Sequence, residues 1–153
     1  LIYYFFMNFY NAIKTCYKKY AKFEGRAPRS EFWYFWLFNY SIYIILIIVA
    51  LNISFKFLWF FGVFFLVNFI PFIAVTARRL HDVNKSGWLQ ILPLPFSFLE
   101  RILERTSQES FSFIFTIITL GLYIYLIVLW CTKGNKKNNR FGKNIYKKTK
   151  KIR

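Results

Sequence analysis

One histidine, six carboxylates and 22 lysines and arginines make up most of the chain's ionisable chemistry, and they come in blocks. Arg78 and Arg79 precede the adjacent pair His81 and Asp82 at close range; Arg26, Arg29 and Glu31 form an earlier block, and Arg140 belongs to a later one. Histidine titrates near neutrality, so His81 is the side chain suited to acid–base work. A structural zinc site needs partners that one histidine and two distant cysteines do not supply, and neighbours on a helix end point apart. No nucleophile stands beside His81, and no phosphate loop, dinucleotide glycine fingerprint or zinc-protease helix occurs. The sequence therefore predicts no catalytic, cofactor-binding or metal-binding residues. What Arg26, Arg29, Glu31, Arg78, Arg79, His81, Asp82 and Arg140 can do is pair. A guanidinium offers two parallel donors to one carboxylate, which suits an ion-paired clamp across helix ends. Five arginines against two carboxylates also leave positive charge for an anionic ligand such as a phospholipid headgroup.

The elements that must position these residues are set by uncharged runs. Phe32–Phe55, Phe57–Ala77 and Ser110–Thr132 contain no charged residue. At about 1.5 Å per helical residue, each covers the roughly 30 Å hydrocarbon core of a bilayer. The chain has too little polar sequence to bury three such helices in a soluble domain. A fourth run, Ser86–Leu99, is short and holds Pro93 and Pro95, so it reads as a short span, a hairpin arm or a re-entrant segment. The expected fold is an all-α membrane protein with about four transmembrane helices, near 32–54, 57–77, 86–99 and 110–131. Residues 8–31 form an amphipathic interfacial helix and basic motif, 32–132 the membrane domain, and 133–153 a basic tail.

Charge orients this bundle. The formal net charge of +16 suggests nucleic acid, but its distribution does not. With four passages and a cytoplasmic N-terminus, all but Lys56, Arg101 and Arg105 lie on the cytoplasmic side, as the positive-inside bias requires. Three passages would send the basic tail outward, so both termini are expected in the cytoplasm. Tyr146 is the one aromatic near the final lysine run, a poor stacking platform, and nucleic acid is not an expected partner. The expected partners are the bilayer, with anionic phospholipid, and a second copy or another membrane protein.

Local features refine the reading. Asn8–Phe23 carries Phe9, Ile13, Cys16, Tyr17 and Tyr20 at helical spacing, with Lys14, Lys18 and Lys22 on another face. This suits a membrane interface or packing on the bundle. Gly25 and Pro28 stop that helix. The aromatic group Phe32, Trp33, Tyr34 and Trp36 marks an interface. Pro71 frees a backbone carbonyl that a neighbour must satisfy, and Asn68 is placed for an interhelical hydrogen bond. Cys16 and Cys131 read as small packing residues. Leu1–Phe6 lack the basic flank and cleavage site of a signal peptide, so Met7 reads as the start.

Four blocks together carry a resemblance. Gly25-Arg26-Ala27-Pro28-Arg29-Ser30-Glu31-Phe32-Trp33, Arg78-Arg79-Leu80-His81-Asp82, Ser86-Gly87-Trp88 and Asn139-Arg140-Phe141-Gly142 occur in this order, each at a span end. They resemble the signature blocks of the domain-of-unknown-function 805 family, small proteins of the bacterial inner (plasma) membrane. The resemblance covers roughly Phe23–Gly142 and departs in a longer, charged stretch from Glu100 to Ser110. It implies architecture and location, not a reaction. The chain is expected to be an integral membrane protein with a structural, interaction or regulatory role; the alternative is an anionic-lipid-binding or small-solute transport component.

Overall fold

A computed structural model describes residues 7–106 and 109–146, with Glu109 and Ser110 described by backbone alone. The residues before Met7 and the last seven of the basic tail lie outside the described part. The described residues form helices α1 (Phe9–Lys18), α2 (Arg29–Asn52), α3 (Leu58–Asp82), α4 (Pro93–Arg105) and α5 (Glu109–Cys131). Short 3-10 turns, Phe55–Phe57 and Gly87–Ile91, precede α3 and α4.

Three stretches are long and apolar enough to cross a bilayer: Arg29–Asn52, Phe55–Asp82 and Phe111–Cys131. Their flanks stay bare, with Ile48, Leu66 and Ile117 all more than half exposed. Lipid is the solvent that such surfaces require. Thirteen residues in α4 span only about 20 Å, less than the hydrocarbon core.

Within the 86–99 run the two prolines start a helix. Pro93 and Pro95 fall in the first turn of α4, where a proline's missing N–H costs nothing and its fixed φ is helical. The helix then runs through the charged Glu100–Arg105 stretch. With its preceding 3-10 turn it packs antiparallel on α5: Leu89 of the turn meets the cluster of Leu126 and Leu129, Phe96 faces Phe115, and Glu100 Oε1 accepts from the Thr116 hydroxyl at 2.6 Å.

Helix α1 is shorter than its amphipathic pattern. Asn8 caps it by accepting from the Asn11 N–H at 2.9 Å, and it ends at Lys18. Its apolar side lies against α2, with Cys16 buried among Ala27, Phe32, Phe35 and Val75. Burial there pushes the Cys16 thiol up from its ordinary range, so it stays protonated. Cys131 lies exposed at the end of α5. Beyond Lys18 the chain turns so that the carbonyls of Lys19 and Lys22 face the Arg78 guanidinium. Gly25 then takes a φ of +88°, a left-handed conformation that glycine adopts without strain.

Two tyrosines beyond the middle of α1 complete the polar bonding of α3. The Tyr17 hydroxyl donates to Asn68 Oδ1 at 2.7 Å, and the Asn68 amide donates to the Phe64 carbonyl. Pro71 leaves the carbonyl of Val67 without its helical donor, and the Tyr20 hydroxyl supplies one at 2.6 Å. Tyr20→Phe is therefore expected to lower stability by about 1–2 kcal/mol, read as thermal unfolding in mild detergent, with no change in helical content.

Candidate functional site: a buried ion-paired latch

The start of α2, the end of α3 and the end of α5 meet at one end of the bundle, and arginines tie them together. Arg79 donates from Nε to the Trp130 carbonyl at 3.0 Å and from Nη2 to that of Thr132. Arg29 Nη1 donates to the Cys131 carbonyl at 3.3 Å. The last carbonyls of a helix have no intrahelical donor and carry its negative dipole end, so two guanidiniums cap α5.

Asp82 sits at the centre. Its side chain is fully buried and accepts from Arg79 Nη1 at 2.5 Å, from Arg26 Nε at 3.0 Å and from the Tyr146 hydroxyl. Arg26 continues outward to the segment after α5, donating to the carbonyls of Lys137 at 2.8 Å, Lys143 and Asn135. The Asn135 N–H returns a bond to the Asp82 carbonyl at 2.9 Å. Asn139 donates from its side chain to the His81 carbonyl at 2.8 Å. Residues 133–146 are thus folded onto the bundle through Asp82 and its two arginines. Burial, and then the Asp82 carboxylate, push the Tyr146 phenol up and keep it a donor.

A second pair stands apart. Arg78 Nη2 donates to Glu31 Oε1 at 2.9 Å, both side chains buried, and Lys19 Nζ lies 4.0 Å from Glu31 Oε2. Because Arg78 also holds the Lys19 and Lys22 carbonyls, this pair fastens the α1–α2 connection to α3. Three enclosed guanidiniums face two carboxylates; the surplus charge rests against backbone carbonyls, the bonding that a buried charge needs.

The eight candidate residues are therefore divided. Arg26, Arg79 and Asp82 form one group, and Arg78 with Glu31 another. Arg29 binds a carbonyl instead of a carboxylate. His81 donates from Nδ1 to the Gly25 carbonyl at 3.1 Å; a carbonyl only accepts, so Nδ1 carries the hydrogen. Its ring stacks on Phe141 at 3.9 Å between centroids, and the Arg140 guanidinium lies over that same Phe141 ring at 4.7 Å. His81 thus holds the folded segment through Phe141, Arg140 stays within that segment, and neither belongs to a carboxylate pair.

Over residues 20–143 the chain matches the family described as "protein of unknown function (DUF805)". The chain belongs to the DUF805 family. It is 29% identical to the inner membrane protein YhaI of Escherichia coli K12 over 126 residues, 82% of this chain and 86% of the relative. It is likewise 29% identical to the inner membrane protein YhaH of the same organism over 129 residues, 82% of this chain and 88% of the relative. No solved structure matches it. With those relatives and three apolar helices of membrane length, this DUF805 chain is an integral membrane protein.

The matched stretch of this DUF805 chain takes in all eight candidate residues but neither Tyr146 nor α1. Tyr146, Gly134 and Lys19 were missed as participants. The signal for Gly134 lies in packing: a Cβ there would collide with Asp82 Oδ2 and the Tyr146 hydroxyl. Both neighbours are held by the latch and cannot retreat without breaking it. Gly134→Ala is expected to cost about 1–3 kcal/mol through overpacking. It should also raise hydrogen exchange at the Asn135 amide while leaving the α2 and α3 amides protected.

Proposed function

We propose that this chain is a structural or interaction component of the inner membrane, a four-passage bundle whose latch holds a folded segment on the cytoplasmic face. The observation that carries this reading is the bonding of Arg26 and Arg79 to Asp82 and to carbonyls from Trp130 to Lys143. It fastens the start of α2, the end of α3 and the segment after α5 at one end. Because α3 ends there and α5 also ends there, the chain between Asp82 and Glu109 has to reach the opposite end. Helix α4 with its preceding 3-10 turn supplies that passage as a thin span leaning on α5. The shared end also carries most of the basic residues, which favours the cytoplasm for it and for both termini.

A latch made of enclosed side chains organises backbone; it leaves little reactive chemistry exposed. The folded segment that it fixes carries exposed Lys133, Lys136, Lys137 and Arg140 at the membrane surface, a rigid basic platform for a partner. Chemical crosslinking in intact membranes, followed by gentle extraction and native mass measurement, tests this role. A stable protein partner or a defined oligomer is expected. A chain that remains monomeric and uncrosslinked at native abundance would contradict an interaction role.

A further inference from the structure

We propose that the cleft between the start of α2 and the segment after α5 binds a negatively charged phosphate ester, supplied by the headgroup of an anionic phospholipid. The cleft has a volume of about 520 Å³ and is lined by Arg29, Ser30, Lys133 and Lys136, with Tyr146 among its walls. Ligand sites commonly measure roughly 300–1,000 Å³. Among the described residues three cations line it and no carboxylate does. The nearby Asp82 is fully buried, with Arg26, Arg79 and Tyr146 bonded to it, so its charge is neutralised inside the protein.

The arginines divide the labour. Arg26, Arg78 and Arg79 are enclosed and bonded to protein acceptors, which leaves no room for a ligand between them. Arg29 is exposed, and among the described residues one of its five donors has a protein acceptor, the Cys131 carbonyl. A planar guanidinium flanked by two lysines and a serine hydroxyl suits phosphate oxygens better than a single ammonium would. Depth favours the lipid as the source. Arg29 lies four residues, about 6 Å along the helix, before Trp33 in the aromatic group that marks an interface. A phosphodiester in the leaflet would reach the cleft without leaving its layer.

This site rests on the orientation proposed above, which brings it to the leaflet rich in anionic lipid. The test uses the full chain in nanodiscs of phosphatidylcholine with a minor share of phosphatidylglycerol, which present both faces, so its outcome does not depend on orientation. Lipid retained on the protein is read by native mass spectrometry. Lys133→Gln with Lys136→Gln is expected to lower retained phosphatidylglycerol about tenfold or more. Lys85→Gln with Lys143→Gln, the same charge change outside the cleft, should leave it close to wild type. Equal losses in the two pairs, or no loss in either, would overturn the site and leave only diffuse attraction to charge. A separate arm adds inorganic phosphate to pure phosphatidylcholine nanodiscs. No displacement of the thermal transition is expected; a rise that the Lys133/Lys136 variant abolishes would overturn the lipid as the source and assign the cleft to soluble phosphate.

Discussion

Asp82→Asn is expected to lower the stability of the detergent-solubilised chain by about 3–5 kcal/mol. Asparagine nearly matches the shape but removes the charge between Arg26 and Arg79, which lie 2.8 Å and 2.5 Å from its oxygens. Two buried guanidiniums would then face each other with carbonyls alone to answer them. The Tyr146 hydroxyl loses its charged acceptor at the same time. Thermal unfolding reads the global loss, and hydrogen exchange locates it. The Asn135 and Asn139 amides, bonded to the Asp82 and Gly142 carbonyls, should exchange first. Unchanged protection of those amides would mean that the segment after α5 is held by something other than Asp82.

Arg78→Leu is expected to have an effect of similar size, again about 3–5 kcal/mol, but at a different place. It strands the Glu31 carboxylate, which is fully buried, and frees the carbonyls of Lys19 and Lys22 beyond α1. Lys19, 4.0 Å from Glu31 Oε2, can answer part of that charge and not the geometry. Combining Arg78→Leu with Glu31→Gln should recover part of the loss, because the second change removes the stranded charge. A double variant as unstable as the sum of the two single ones would show that Glu31 and Arg78 act independently. Loosening should appear around residues 19–27 while the segment after α5 stays protected, which separates the two ion-paired groups.

Much of this architecture is written in the sequence, because hydrocarbon length and charge placement are coarse properties. The runs from Phe32, Phe57 and Ser110 became α2, α3 and α5 with boundaries displaced by a few residues. Displacement occurred where the end of a helix is decided by tertiary partners. Helix α3 runs on past Ala77 to Asp82 because Arg78, Arg79 and Asp82 find buried partners that water would otherwise have provided. Helix α1 stops at Lys18 although its apolar spacing continues, since the carbonyls beyond it are taken by Arg78. The carbonyl freed by Pro71 was foreseeable from proline chemistry alone; that Tyr20 would answer it was not, because the pair is 47 residues apart.

The candidate site was legible as a set of residue types and opaque as a set of pairs. Five arginines at span ends suggested one shared cluster, yet Arg78 takes Glu31 while Arg26 and Arg79 take Asp82. Helix geometry explains the split: Arg78 and Arg79 are neighbours about 100° apart around the axis of α3, so they face different partners. Arg79 and Asp82, three apart, share a face and pair locally. The basic tail carried no periodic signal, because residues 133–146 fold as an irregular segment. Asn135, Asn138, Asn139 and Asn144 there accept backbone hydrogens in local turns, and Arg26 supplies donors from outside.

The latch requires the segment after α5 to lie on the same side of the bilayer as the arginines before α2. Paired reporters joined after Arg153, one active only in the periplasm and one fluorescent only in the cytoplasm, measure that side directly in growing cells. Cytoplasmic fluorescence without periplasmic activity is the predicted result. Strong periplasmic activity there would contradict the orientation; joined with cytoplasmic fluorescence from the same reporters placed at the N-terminus, it would put the segment across the membrane from Arg26 and contradict the latch and the fourth passage as well.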